Sequence, residues 1–192
     1  MSEFLENTRL NRCVELILED IPGGCVVEKD DFKIDSTEMK EGALLGTDAN
    51  GIYHLTKTAE VWTNAASGDT SVKIYKEHEF KVGEILINTS RTGTSRVISA
   101  IDSTSSISYD ELTLEAALNV AVAVGDILIQ AAASGSAAGF LYSPVAIATN
   151  PVDLLKDNTG CGLLVRGRVR ESLMPYLVDS TIKAMLPLIR FV

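Results

Sequence analysis

The chain has 192 residues, of which 46% are hydrophobic and 22% charged, a globular balance that excludes a mainly disordered protein. Its formal net charge of −9 disfavours a general binder of nucleic acid or of anionic membranes, because both partners need a positive surface. With 2 histidines and an aromatic share of 6%, the chain has few of the side chains on which catalysis and metal binding usually depend.

The start of the chain is acidic and does not combine a basic stretch with an apolar one, so we expect no signal peptide. The most apolar region, 116–148, is interrupted by polar residues well short of the ~20 apolar residues that a membrane-spanning helix needs. Cys13, Cys25 and Cys161 lack CxxC spacing and are expected to be free thiols. These features predict a protein made in the cytoplasm with no membrane partner.

The first 60 residues hold most of the net negative charge, −7 of −9, with 13 Asp and Glu against 6 Lys and Arg. The apolar residues Leu5, Leu10, Val14 and Ile17 recur near helical spacing, although the end of this segment also alternates as a strand would. Helix and strand therefore stay open. We expect residues 1–40 to form an N-terminal arm and a short folded piece that becomes ordered against a partner.

From Gly42 onward the pattern is typical of β-strands, and Asn50-Gly51 between two apolar runs is a strong hairpin signal. The element Val82–Ile87 (VGEILI) recurs as Val124–Ile129 (VGDILI), with two further strand-like segments between the copies. A glycine lets the chain turn sharply into a strand while the acid faces solvent. We therefore expect both copies to begin strands at the same rim of a small barrel.

The segment Leu163–Arg170 alternates with period two, which places Arg166, Arg168 and Arg170 on one face of a strand. Guanidinium groups at alternate positions stand about 6–7 Å apart and repel one another unless an acidic group lies opposite. Two interpretations stay open: a solvated face paired with carboxylates of a neighbouring strand, or a contact with another subunit or partner. Acidic residues of the N-terminal third are the natural counterparts, within the chain or across subunits.

The remaining signals complete the organisation of the chain. Ser180 can cap a short helix that Pro187 ends, and residues 189–192 are typical of a terminal strand. Residues 41–192 are expected to form one β-rich assembly domain, with a barrel-like subdomain at about 71–131.

None of the candidate catalytic or metal-binding residues has the neighbours that its chemistry needs. Cys161 lies between two glycines, but no histidine accompanies it in a nucleophile motif, and a small buried thiol is the preferred interpretation. The acidic run Glu28–Asp35 lacks the ligand spacing of an EF-hand, and the glycines form no phosphate-binding loop. We expect no enzymatic activity, no cofactor and no metal site.

Several short motifs carry a family resemblance through their order. They are Gly23–Val27 (GGCVV), Lys40–Gly46 (KEGALLG), Phe80–Leu86 (FKVGEIL), Val124–Leu128 (VGDIL), Val165–Val169 (VRGRV) and Ile182–Val192 (IKAMLPLIRFV). In this order the chain resembles the head fibre or head decoration proteins of tailed phages and of prophages. The resemblance covers most of the chain from about residue 23 onward, and none of the motifs is catalytic.

The resemblance implies a non-enzymatic virion protein that decorates or stabilises a capsid surface through self-association and capsid contacts. Its partners would be the major capsid protein and copies of itself, often as a homotrimer, with an N-terminal arm reaching the capsid. We therefore expect a mainly β fold: a small β-barrel or β-tulip-like domain with a barrel-like insert and short helices near the termini. The interface candidates are Leu5, Leu10, Val14, Ile17, Arg166, Arg168 and Arg170.

A β-rich module of a fibre, which binds carbohydrate or another surface, is the alternative. It would need an exposed aromatic platform. The available rings are Trp62, Tyr53, Tyr75, Tyr109 and Tyr142.

Overall fold

A computed structural model describes residues 12–156 and 160–192 and confirms the mainly β class, with 39% strand and 7% helix. In chain order the strands are β1 (Val14–Asp20), β2 (Cys25–Val26), β3 (Glu38–Met39), β4 (Leu44–Thr47), β5 (Tyr53–Leu55), β6 (Thr58–Glu60), β7 (Ser71–Tyr75), β8 (Ile85–Asn88), β9 (Arg96–Asp102), β10 (Tyr109–Leu114), β11 (Ile127–Gln130), β12 (Ala146–Ala148), β13 (Val152–Asp153), β14 (Gly160–Cys161), β15 (Leu163–Val169) and β16 (Ile189–Phe191). One α-helix, α1 (Ser180–Met185), and two 3₁₀ turns, Lys29–Asp31 and Glu171–Leu173, complete the elements of the described residues.

The chain divides into two compact units. The first includes the described residues up to Leu55 together with Pro144–Tyr176 and Ile182–Val192, and the second consists of Thr56–Ser143 and Leu177–Thr181. The predicted subdomain at about 71–131 falls inside the second unit, whose main part, Thr56–Ser143, is inserted in sequence between β5 and β12 of the first.

The first unit is built on a six-stranded sheet in the order β1-β15-β12-β4-β5, with β16 beside β15. All neighbours are antiparallel except β15 and β16, which run parallel. The predicted Asn-Gly hairpin is present as the β4–β5 pair, and the two-stranded pairs β3–β13 and β2–β14 extend the unit. Its buried core consists of Val27, Phe32, Met39, Ala43, Leu45, Leu55, Ala146, Ala148, Val152, Leu154, Cys161 and Leu163.

The second unit contains a six-stranded antiparallel sheet in the order β6-β11-β8-β9-β10-β7. The expectation of a closed barrel is wrong, because the sheets are not closed. Beside the edge strands β6 and β7, an isolated bridge joins Val61, just after β6, to Ile74 on β7, and the Trp62 N–H donates to the Lys73 carbonyl at 2.8 Å. The sheet surrounds a core of its own, formed by Ala59, Val61, Ala65, Val72, Ile74, Phe80, Leu86, Ile98, Leu112, Leu114, Leu118, Val122 and Leu128.

The repeated VGEILI and VGDILI elements have the same local structure but run in opposite directions. Gly83 and Gly125 have φ values of 90° and 89°, and each glycine leads into a strand, β8 or β11. Because these strands are antiparallel neighbours, they begin at opposite ends of the sheet, and the expected common rim is wrong. In both copies the acid closes the turn: Glu84 accepts from the Lys81 N–H at 3.0 Å and Asp126 from the Ala123 N–H at 2.8 Å.

Glu84 also neutralises a lysine buried in the second unit, which corrects the expectation that this acid faces solvent. The Lys57 side chain is 1% exposed, and its Nζ lies 2.6 Å from Glu84 Oε1. Glu84 itself is 16% exposed, so water reaches the carboxylate far more readily than the ammonium group. A buried charge is costly unless it is paired, so the stability of this unit depends on Glu84.

Removing Glu84 should therefore destabilise the second unit more than removing Lys57. We expect Glu84→Ala to lower the free energy of unfolding by about 3–5 kcal/mol, because it leaves the buried ammonium group without its carboxylate. Lys57→Met should cost clearly less, since it removes the buried charge and leaves Glu84 with the Lys81 N–H and water. Urea unfolding of the two variants measures the difference, and equal losses would contradict this account.

Candidate assembly surface

Five of the seven predicted interface residues lie on or directly beside the antiparallel pair formed by β1 and β15: Val14, Ile17, Arg166, Arg168 and Arg170. In this pair Val14 lies opposite Val169 and Glu19 opposite Arg166. The end of the N-terminal segment is therefore a strand, as its alternation allowed, and it pairs with the arginine strand of its own chain. Val14 is buried and Ile17 is 46% exposed, whereas Leu5 and Leu10 lie outside the described residues.

Glu15 on β1 binds two of the three arginines. Its carboxylate lies 2.8 Å from Arg168 Nε and accepts a hydrogen bond of 3.1 Å from Arg170 Nε. The hydrogen bond from Arg170, together with the charge of Arg168, holds the pKa of Glu15 below its ordinary value. One carboxylate of the neighbouring strand thus binds two of the three arginines within the chain.

Gly167, between Arg166 and Arg168, allows β1 to approach β15 closely. A Cβ atom at this position would collide with the backbone carbonyl oxygen of Leu16. The β1–β15 register also shifts at several points, which is typical of a bulged edge strand. The glycine in the arginine row is therefore required by backbone packing.

The beginning of β1 is fixed by further bonds within the first unit. Glu41 accepts from the Val14 N–H at 2.9 Å and lies 3.4 Å from Arg12 Nε. The Arg170 N–H donates to the Cys13 carbonyl at 2.8 Å. Burial, aided by the charge of Glu41, raises the pKa of the Cys13 thiol to about 11. This end of the strand is anchored and its only cysteine is protonated at neutral pH.

The outer part of β1 carries three consecutive exposed aliphatic side chains. Leu16 is 45%, Ile17 46% and Leu18 61% exposed, and among the described residues no strand other than β15 pairs with β1. We call these three side chains and the free backbone edge of β1 the β1 edge surface. A free edge offers unpaired backbone donors and acceptors to another chain, and the aliphatic side chains add apolar area.

Both histidines are buried and each contacts an aspartate. In the first unit His54 Nδ1 lies 3.1 Å from Asp31 Oδ2. In the second, His78 accepts from the Phe80 N–H at its Nδ1, so its Nε2 carries the proton and donates to Asp110 at 3.0 Å.

Asp110, which is itself buried, is the centre of a polar network in the second unit. It also accepts from Lys76 at 2.8 Å and from the Ser103 hydroxyl at 2.9 Å. Burial raises its pKa, but the hydrogen bonds from Lys76, Ser103 and His78 outweigh burial and hold the pKa below its ordinary value. This network was not predicted from the sequence, because Lys76 and His78 lie 34 and 32 residues before Asp110.

Three of the five candidate rings cluster on the second unit. Trp62 meets Tyr75 edge-on with ring centroids 4.6 Å apart and stacks on Tyr109 at 6.2 Å. Lys73 Nζ lies 4.9 Å from the centre of the Tyr109 ring. Tyr75 is exposed, and the other two rings are half-buried.

Within the described residues, no three His, Cys, Asp or Glu side chains are placed to share a metal ion. Among the same residues, no helix has the length and apolar character needed to cross a bilayer. No protein-family profile, no curated protein and no solved structure matches this chain.

The collision at Gly167 leads to a direct test of the β1–β15 contact. Gly167→Ala should lower the free energy of unfolding by about 1–3 kcal/mol, because a methyl group must push the two backbones apart. Gly68→Ala is the matched control, since nothing lies within 4 Å of a Cβ atom there. It should change stability by less than about 0.5 kcal/mol. Equal effects of the two substitutions in thermal unfolding would contradict the close approach.

Proposed function

We propose that the protein is a non-enzymatic virion structural protein that decorates or stabilises a phage capsid through self-association and capsid contacts. The β1 edge surface is the observation that carries this proposal. A strand with a free edge and exposed aliphatic side chains is suited to augment a sheet of another chain. One edge of β1 is already paired with β15, so the strand is formed before a partner binds to its other edge.

The arrangement of charges supports contact through the apolar part of the surface. Glu15 binds both Arg168 and Arg170 and so balances one of their two positive charges within the chain. Arg166 is exposed and lies opposite Glu19, at the end of the strand where acidic residues follow the aliphatic ones. Charged side chains at a strand end limit uncontrolled edge pairing and favour a partner of fitting charge.

The partners in this proposal are the major capsid protein and two further copies of the chain in a homotrimer. The protein would be made in the bacterial cytoplasm and reside in the virion. The net charge of −9 argues against nucleic acid as a partner. The order of sequence motifs that resembles head fibre and head decoration proteins supports the same role.

Light scattering coupled to size-exclusion chromatography tests the self-association. The chain has a mass of 20.6 kDa, and we expect a particle of three times that mass. The double variant Leu16→Glu, Leu18→Glu places charges on the β1 edge surface and should weaken association at least tenfold, about 1.4 kcal/mol. Circular dichroism should stay unchanged, because both side chains are exposed.

Ile34→Glu is the matched control for that variant, because Ile34 is a fully exposed aliphatic residue of the first unit outside the β1 edge surface. It should leave the trimer intact. In co-sedimentation with heads assembled from the cognate major capsid protein, the wild-type chain and Ile34→Glu should bind equally. The double variant Leu16→Glu, Leu18→Glu should bind more weakly. A wild-type chain that is monomeric at every concentration, or equal disruption by Ile34→Glu, would refute the proposed surface.

A carbohydrate-binding module of a fibre is the second candidate, favoured by the cluster of Trp62, Tyr75 and Tyr109. Sugar rings stack on exposed aromatic faces, and Trp62 is the single tryptophan, so its fluorescence reports on this cluster alone. Binding would shift the emission on titration with oligosaccharides, and Tyr75→Ala should abolish the shift while Tyr142→Ala should not. An inert glycan array with constant Trp62 emission would eliminate this candidate.

A further inference from the structure

Two of the three cysteines lie opposite each other in the first unit. Cys25 on β2 and Cys161 on β14 are direct partners in an antiparallel pair, although they are far apart in sequence. Both are free thiols in the structure. The short β2–β14 ladder therefore holds two cysteines side by side.

The register of this pair suits a disulfide bond. Residues directly opposite each other in an antiparallel pair have Cα atoms about 4.5–5.5 Å apart. Disulfide bonds span Cα separations of about 4.4–6.8 Å. The strand pairing therefore places the two Cα atoms within the range that a disulfide bond spans.

The two thiols already interact. The hydrogen bond from the Cys25 thiol lowers the pKa of Cys161, more than burial raises it, and the same hydrogen bond and burial raise the pKa of Cys25. Of the two thiols, Cys161 is therefore the first to lose its proton as the pH rises, which makes its sulfur the better nucleophile. Cys161 is only 3% exposed, so a reagent from solution cannot approach it easily.

Cys25 is the member that solvent reaches. It is half-buried and lines an open cleft of about 380 Å³ together with Gly24, Val26, Tyr53 and neighbouring residues. Cys13 offers a contrast in the same unit, since it is 3% exposed and burial raises its pKa to about 11. One thiol of the pair is thus accessible and the other is activated, whereas Cys13 is neither.

We propose that Cys25 and Cys161 form a redox-active pair, which a small-molecule disulfide oxidises to an intramolecular disulfide across β2 and β14. The Cys25 proton passes along the hydrogen bond to the Cys161 thiolate, and the Cys25 thiolate attacks one sulfur of the oxidant, whose S–S bond breaks. The first leaving thiolate takes up the proton from Cys161. The Cys161 thiolate so restored attacks the Cys25 sulfur and releases the second thiolate, which takes up from solvent the proton that Cys161 had lost. The cysteine pair loses two electrons and the oxidant gains two.

The bond would join two segments that flank the second unit in sequence. A cross-link between segments so distant along the chain restricts the unfolded state strongly, so oxidation should raise the melting temperature. Reduction would return the first unit to the lower stability of the dithiol form.

Titration of the full-length chain with glutathione disulfide, followed by alkylation and intact mass measurement, tests the pair. We expect three alkylatable thiols in the reduced protein and one after oxidation, with a loss of two hydrogen atoms and no glutathione adduct. Peptide mapping should find Cys13 as the remaining thiol. The melting temperature should rise by several degrees on oxidation.

Single variants separate the two roles. Cys161→Ser should accumulate a glutathione adduct on Cys25, because no second thiol resolves it. Cys25→Ser should react at least tenfold more slowly, because Cys161 is buried. Cys13→Ser is the control and should still form the intramolecular bond.

Three outcomes would overturn the proposal: three free thiols after prolonged oxidation, a stable glutathione adduct on the wild-type chain, or disulfide-linked dimers without the intramolecular bond. These results concern the thiols alone and leave the assembly experiments unaffected.

Discussion

The placement of Glu15 between Arg168 and Arg170 is the interaction on which the account of this protein depends. Without an acidic group opposite, the guanidinium groups along β15 would repel one another, and β1 would have little reason to adopt this register. With Glu15 in place, the acidic N-terminal region and the basic strand near the other end of the chain form one sheet. The absence of a side chain at Gly167 lets their backbones meet.

This pairing leaves one edge of the N-terminal strand exposed. The inner edge of β1 is paired with β15, and the outer edge carries aliphatic side chains followed by acidic ones. The second unit has its own core and its own buried charge pair, so its sheet does not depend on this strand. In the proposed virion role, the cysteine pair would be reduced in the cytoplasm and free to oxidise after release, which would stabilise the first unit outside the cell.

Local patterns predicted much of the fold. Asn50-Gly51 specified its hairpin, the alternation of Leu163–Arg170 its strand, and Pro187 the end of the short helix, because each signal acts over a few residues. The helix begins at Ser180 itself, so this serine is its first helical residue and not the predicted cap. The prediction that the two repeated strands begin at the same rim was wrong. A glycine turn that leads into a strand can have the same sequence at either end of a sheet, so the repeat does not specify the relative direction of its copies. Burial of Lys57 also left no local trace.

The sequence revealed the candidate surface only in part, because some of its features depend on which strands pair. The arginine face and the apolar residues of β1 stood out in the sequence, and carboxylates were expected opposite the arginines. The choice of Glu15, the packing role of Gly167 and the Cys25–Cys161 pair all depend on the register between strands distant in sequence. Register follows from tertiary pairing, which a single sequence does not display.

Hydrogen exchange over residues 14–20, followed by mass spectrometry at low and high protein concentration, distinguishes assembly through the β1 edge surface from assembly through another surface. We expect amides bonded to β15 to be protected at both concentrations, whereas amides on the outer edge exchange quickly when dilute and at least tenfold more slowly in the assembly. Exchange over this strand that is identical at both concentrations, despite a confirmed oligomer, would show that the chain assembles through another surface.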